Sequence, residues 1–563
     1  MRREILKLSA LLLATVLLSQ LVPRSSANDV TTIAKPEEKA QFATLEWKVI
    51  ANNGTYIPNT DLNFGSYGQP AVNTRGVVTF RARSVGSSER ETGIYMREPK
   101  KGATIQVVGN INAVVPFPNN LNTEFTEFPS IPRIAMNVDN VATRGNHQPV
   151  YRYFLPDETE TRAGTTGIYA KLGRNPFLTG ASKLGNVPGF EFYAVPGISP
   201  RLQFDVFPGS PAITDDGTIV FKGNYTETGI GKTGVFYRRL VNIPAGGPYS
   251  VELIANSDTE IPNTPPGAGI IKFGSTAPPS VAGNQVVFVG LDNEENPSYG
   301  GIYIASIQPN PTLITLAGIG AELPGLQIPG LTRIGEGLSF DGRYLAFWGA
   351  WGNDTKTIRL YCPEEGNAQR RAYCNGIDPN SVFDPTTGKW YQEKQVPVNQ
   401  GIFVYDVNAN WAFLAADLTN FDDFTYWNYS GMAPGEGHDG SNEEGEPVRW
   451  RGTAFMSVSD GLVVFKARTG DLNDQNLYVN PVDGIYLVDV TQNSARQVIF
   501  ETGMDGADLD PTLLPGEFPI TNLGIEREGF RGRYLSIAAT MGDEETGWGG
   551  IYLATVESKK AKH

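Results

Sequence analysis

Apolar positions along the chain fall in short runs rich in Val, Ile, Phe and Tyr, each bounded by Gly, Pro, Asn or Asp. Such runs predict β-strands, because branched and aromatic side chains suit a pleated surface and the bounding residues suit turns. The runs repeat. The tripeptide Gly-(Ile/Val)-(Tyr/Phe) recurs at Gly93, Gly167, Gly234, Gly301, Gly401, Gly484 and Gly550, with successive spacings of 74, 67, 67, 100, 83 and 66 residues. One unit is therefore repeated seven times, and two copies carry insertions.

Each unit holds four runs, A to D. In the third they are Pro211 to Thr214, Thr218 to Gly223, Gly234 to Arg238 and Val251 to Asn256. B-type strands recur from Val77, Val286, Tyr344, Leu462 and Tyr534, and D-type strands are expected at 46–51, 104–109, 190–195, 251–256, 312–317, 411–416 and 496–501. Four antiparallel strands in seven copies predict an all-β chain folded as a seven-bladed β-propeller over residues 45–556. The first recognisable strand is D-type and the last, Gly550 to Thr555, is C-type. The N-terminal strand is thus expected to complete the last blade and remove two open edges. Two successive domains of three and four units would leave both terminal strands unpaired.

In such a blade the A–B and C–D connections share one face, and the B–C and D–A connections share the other. The A–B turns are minimal, as in Asp215-Asp216-Gly217, Asp341-Gly342 and Asp460-Gly461, and are hairpin corners by composition. The acidic pair Asp215 and Asp216 is accordingly read as a corner. The long connections lie on the opposite face: a B–C insertion at 349–400 and a D–A insertion at 417–453. Loops on a rigid scaffold are where function is usually placed. The candidate ligand-binding residues there are Trp351, Trp390, Tyr391, Tyr426, Trp427, Tyr429, His438 and Asp439. Two readings stay open: aromatic platforms beside acids that stack on sugar rings or a protein partner, or a satellite core beneath two long loops.

Asn73-Thr74-Arg75-Gly76-Val77-Val78-Thr79-Phe80 resembles the Asn-x-x-Gly-x-x-Ala-Phe hairpin of a group of bacterial secreted tandem-repeat proteins, with Thr79 in place of Ala. Gly217/Phe221 and Gly461/Phe465 keep the Gly and Phe of that motif, while Thr214 and Val458 replace the Asn. The turns after D strands, Pro58-Asn59, Pro262-Asn263, Pro324-Gly325 and Pro515-Gly516, are similar to that group as well. The resemblance implies export and a repeat fold, and no particular activity.

The N-terminus agrees with export. A basic stretch, an apolar core and Ser25-Ser26-Ala27 read as a signal peptide over 1–27, followed by a flexible segment at 28–44; a basic tail closes the chain at 557–563. The expected location is secreted or periplasmic, with no integral membrane segment once the signal is removed. The chain carries a net charge of −14, and the signal segment contributes positively, so nucleic acid and anionic membranes are disfavoured as partners. In an exported chain Cys362 and Cys374, with eleven residues between them, are expected to form a local disulfide worth about 3 kcal/mol.

The chemistry tests are mostly negative. The three histidines are His147, His438 and His563, and neither a nucleophile elbow, a zinc ligand set nor a P-loop is present. No cofactor or metal is implied, except that calcium would suit the oxygen-rich stretch His438-Asp439-Gly440-Ser441-Asn442-Glu443. The sequence names no catalytic pair. The expectation is an exported, non-enzymatic binding or scaffold protein that uses the loop face for a polysaccharide or an extracellular or periplasmic protein. The alternative is a carbohydrate-active hydrolase or lyase with carboxylates on the same face.

Overall fold

The computed structural model describes residues 45–86, 91–100, 102–241, 248–262, 264–265, 267–364, 367–419, 425–434, 448–472, 478–543 and 547–556. Among them the protein is all-β, with one short α-helix, Ala368–Ala372. Seven sheets follow the repeat, each pairing its strands in the order A-B-C-D and antiparallel. In the third unit these are Ala212–Ile213, Thr218–Glu227, Ile230–Arg239 and Glu252–Asn256. The seventh takes its fourth strand from the N-terminal side: Trp47–Asn52 pairs with Trp548–Thr555, Trp47 opposite Ala554 and Asn52 opposite Gly550.

The strands read as apolar runs because both faces of each sheet are covered. In the third unit Ile219 and Phe221 pack with Ile168 and Leu172 of the second, while Val220 between them packs with Val286 and Phe288 of the fourth. The recurrent tripeptide has its own physical reason. In the first six units the C–D register slips by one residue between its second and third positions, a β-bulge. Its glycine lies under its own aromatic: a Cβ on Gly234 would meet the Phe236 ring at 2.8 Å and the Ala255 carbonyl at 2.9 Å. The motif therefore encodes a bend of the outer hairpin.

The A strands of consecutive units touch one another in order around the repeat, and the seventh touches the first. The A–B corners brace the same circuit. Asn137 of the second unit donates its backbone N–H and side-chain amide to the Asp215 carboxylate of the third, at 2.8 and 2.7 Å. Asp460 of the sixth donates its N–H to Asp341 of the fifth at 2.7 Å. Asp216 accepts from the Thr218 N–H within its own turn. This acidic pair is thus structural.

A loop of the seventh unit, Glu526 to Gly529, reaches the A strands of five others. The Glu528 carbonyl accepts from Val72, the Arg527 carbonyl accepts from Ser339 and Ser457, and the Arg527 guanidinium donates to the Pro278 carbonyl. The Glu528 carboxylate pairs with Arg133, whose side chain is wholly buried. Burial opposes the Arg133 charge, but Glu528 beside it more than restores it.

One expected strand is corrected. Residues 190–195 do not form the D strand of the second unit; Phe177–Ser182 does, and Glu191–Tyr193 is a 3-10 turn. The tight turn after Leu172 returns the chain to its neighbour at once, and the aromatics at 190–193 alternate like a strand because they cap a core. His147 ends the strand Asn140–His147 and is buried.

The insertions add two small sheets. Thr355–Tyr361, Val382–Asp384 and Lys389–Pro397 form one, and Tyr426–Ser430 with Arg449–Thr453 forms a hairpin. The Cys362–Cys374 disulfide is formed and packs with Tyr429, Trp390 and Trp450. No helix among the described residues is long and apolar enough to cross a membrane.

Candidate functional site

A cavity of about 500 Å³ opens where the two insertions meet the fourth and fifth units. Its walls come from the B–C connection of the fourth unit, the A strand of the fifth with Trp348 of its B strand, the inserted sheet and the inserted hairpin. All but these two strands are connections assigned by the repeat to the B–C and D–A face.

Glu336 is placed by a bulge. The pairing of Leu331–Phe340 with Tyr344–Trp351 jumps between Ile334 and Leu338, so Gly335-Glu336-Gly337 leaves the ladder. The flanking glycines permit this: a Cβ on Gly337 would sit 2.6 Å from the Ala454 carbonyl oxygen, and one on Gly335 would sit 3.1 Å from the Trp348 ring. Glu336 lines the cavity beside Glu294, which comes from the fourth-unit connection. Burial, and then the neighbouring Glu294 charge, raise the Glu336 carboxyl above its ordinary range against the opposing pull of Lys222 and Arg451. Glu294 is itself engaged: it pairs with Arg449, lies 3.7 Å from Arg451 and accepts from Ser275 at 3.2 Å. These pairs also tie the inserted hairpin to the fourth unit.

Three tryptophans line the cavity: Trp348, Trp427 and Trp450. The Lys394 ammonium lies 4.8 Å over the Trp427 ring. Trp450 donates its indole N–H to Gln392 at 3.0 Å, which fixes the ring. Thr425 also lines the cavity, is 5% exposed, and its hydroxyl has no hydrogen-bond partner among the described residues. Asp354 and Glu393 are lining carboxylates on exposed positions of the inserted sheet and its approach.

Of the candidate ligand-binding residues that are described, Trp427 alone lines this cavity. Trp351 is buried edge-on to Phe403 within the fifth unit. Tyr391 and Tyr429 are buried, and Tyr429 donates its hydroxyl to Asp378 at 2.6 Å. Trp390 packs on Phe383 and the disulfide cluster. Trp390 and Tyr429 thus belong to a satellite core around the disulfide, Tyr391 is buried in the inserted sheet, and Trp351 belongs to the core of the fifth unit itself. Tyr426 stands in the hairpin strand opposite Thr453. The positions of His438 and Asp439, and with them the calcium candidate, lie outside the described residues. Among the described residues no group of three or more His, Cys, Asp or Glu is arranged to hold a metal.

His147 is not placed for catalysis. Its Nδ1 donates to the Gln148 carbonyl at 2.8 Å, and its Nε2 therefore accepts from the Tyr169 hydroxyl at 2.5 Å. Burial lowers its pKa to about 4.

Glu336, Glu294, Trp348, Arg333, Lys394 and Arg449 had no place in the sequence reading, whereas Trp450 stood among the aromatics of the second insertion. One signal was available. Opposite the second residue of each repeated tripeptide stand Arg81, Arg144, Lys222, Val289, Trp348, Lys466 and Ala538. A position held by cations in four units and by Trp in the unit that carries the insertion is a repeat position released from packing.

No family model and no curated protein matches the chain. Solved structures similar to it include an exo-1,5-alpha-L-arabinanase from a bovine ruminal metagenomic library, 13% identical over 68% of this chain and 99% of that one, with a TM-score of 0.22. A family 117 glycoside hydrolase of the marine bacterium Zobellia galactanivorans is 12% identical over 62% and 90%, with a TM-score of 0.23. An acylaminoacyl peptidase of Pyrococcus horikoshii is 9% identical over 85% and 58%, with a TM-score of 0.31. The cavity brings carboxyls and tryptophans together, and the expectation of a non-enzymatic binding or scaffold protein is corrected toward its carbohydrate-active alternative. At such TM-scores the similar structures carry no argument of their own, so the function rests on the cavity.

Proposed function

We propose that the protein is an exported carbohydrate-active hydrolase built on a seven-bladed β-propeller. The propeller reading is supported by the ordered contacts of the seven A strands and by the pairing of Trp47–Asn52 with Trp548–Thr555. Export is supported by the disulfide and by the signal-like N-terminus.

The observation that carries the activity is Glu336, a carboxyl with a raised pKa held against Glu294 in a cavity with three tryptophans. A general acid for glycoside cleavage must keep its proton near neutral pH until the leaving oxygen takes it, and burial beside a second carboxylate has that effect. Indole faces stack on sugar rings and orient the linkage. Glu294 is itself occupied by Arg449 and Ser275. Glu294 is therefore the residue that positions Glu336 and its proton. The second carboxylate, which activates water or attacks the sugar, is sought in Asp354 and Glu393. The test is release of new reducing ends from polysaccharides by the wild-type protein, compared with the Glu336→Gln, Asp354→Asn and Glu393→Gln variants. Full activity of Glu336→Gln would refute the assignment.

A further inference from the structure

The charges of the cavity do not cancel in pairs. Glu294 takes Arg449 and Arg451, Glu295 lies 3.9 Å from Arg449, and Glu393 lies 3.5 Å from Arg359. Arg333 and Lys394 have no carboxylate within ion-pair distance among the described residues. The Arg333 guanidinium donates to two neutral oxygens, the Thr332 carbonyl at 2.9 Å and the Asn296 side chain at 3.2 Å. The Lys394 ammonium donates to the Trp450 carbonyl at 3.4 Å and rests over Trp427. Both side chains are partly buried, and burial lowers the pKa of both. After burial, the Glu295 and Glu294 charges pull the Lys394 pKa up while Arg449 and Arg333 push it down, so no single partner neutralises the ammonium.

Half-buried cations without a counter-ion are costly unless an anion arrives with the ligand. A guanidinium offers a planar fork that matches a carboxylate or sulfate, and an ammonium offers a point charge beside it. Lys222, beside Glu336, adds positive potential at the reacting carboxyl.

We propose that this cavity takes an anionic sugar, a uronate or a sulfate ester, whose charged group is held by Arg333 and Lys394. The proposal rests on the hydrolase reading of the same cavity and names its substrate class. In this arrangement Trp427 stacks on the ring whose anionic group meets Lys394, and Glu336 faces the linkage.

The experiment uses the full mature chain with Glu336→Gln, so that binding is separated from turnover, in affinity electrophoresis on polygalacturonate, a sulfated galactan, neutral arabinan and neutral galactan. Retention on one of the two anionic polymers is expected, and which polymer retains the protein tells uronate from sulfate. Retention should weaken as salt is raised, and Arg333→Ala with Lys394→Ala should lower affinity roughly tenfold or more, the loss of a charge-assisted pair. Should the double variant fail to fold, Lys394→Met alone and the salt dependence of the Glu336→Gln protein serve instead. Retention on a neutral glycan alone, or undiminished anionic retention in a folded double variant, overturns the proposal. So does retention on none of the four. Cleavage of a neutral glycan together with no anionic retention overturns the substrate class and leaves the hydrolase standing. Anionic retention without cleavage by wild type overturns the hydrolase and leaves the anion subsite standing.

Discussion

Glu336 and Glu294, brought together from an inner strand of one unit and a loop of the unit before it, line the same cavity, and the Glu294 charge adds to burial in raising the Glu336 pKa. The Glu336 proton therefore stays to higher pH in the folded protein than in the unfolded chain. Activity carried by the acid form should therefore fall as pH rises through the raised Glu336 pKa. The same shift destabilises the fold as pH rises above the ordinary glutamate range, because the folded state gives up its proton later than the unfolded one. Glu336→Gln should lower kcat by roughly 10²–10⁴-fold and flatten this alkaline loss of stability, as read by rate assays and by denaturation across pH.

Arg133 and Glu528 join the second unit to the loop that reaches most of the others. Arg133→Met removes the nearest cation from a buried carboxylate, leaving Arg531 at 4.0 Å, and should cost about 3 kcal/mol in guanidinium denaturation. Adding Glu528→Gln should recover part of that loss. Equal destabilisation of the single and double variants would show that packing, not charge, holds this contact.

His147 gives the fold an acid limit. Its folded pKa, near 4, lies below the ordinary histidine value, so the neutral ring contributes stability that is complete above about pH 6.5 and drains away as pH falls toward 4. The shift corresponds to at most about 3 kcal/mol. His147→Gln should lower stability at neutral pH and remove the part of the acid dependence between pH 7 and 4, followed by thermal denaturation.

Asp510 latches the ends of the repeat. One of its oxygens accepts from Asn52 at 3.0 Å, Trp548 at 2.9 Å and Tyr552 at 3.0 Å. Burial opposes its charge, but hydrogen bonds from Thr512, Trp548 and Asn52 prevail and hold its pKa below the ordinary range. Stability from this latch is present above the usual aspartate pKa and is lost as pH falls through the lowered one. Asp510→Ala should cost about 2–3 kcal/mol and loosen the first strand, seen as faster amide exchange over Trp47–Asn52.

The corner acids make a control. Asp215 braces Asn137 between the second and third units, away from the cavity. Asp215→Asn should cost no more than about 1 kcal/mol and leave glycan cleavage unchanged, measured side by side with wild type.

The repeat was legible because a bulged hairpin imposes the same Gly-x-aromatic packing in unit after unit, as Gly234 and Phe236 show. The face that carries the cavity was legible too, since minimal Asp-Gly corners leave length for only one side. The second unit misled because Phe190, Phe192 and Tyr193 alternate like a strand while packing as a cap. The cavity residues were hidden for a different reason. Glu336 owes its role to a bulge and to Glu294, distant in sequence and contributed by another unit, and neither pairing nor bulge leaves a local composition signal. Aromatic richness pointed to Trp390, Tyr391 and Tyr429, which the insertions need for their own core, and to Trp427, which the cavity keeps.

The most direct measurement is reducing-end release from a panel of neutral, uronic and sulfated polysaccharides, with the wild-type protein and Glu336→Gln run in parallel. Wild type should release product from at least one polymer, with an alkaline decline in rate, and Glu336→Gln should fall to background while still binding that polymer. Equal release by both proteins, or none by wild type from a polymer it binds, would contradict a hydrolase centred on Glu336.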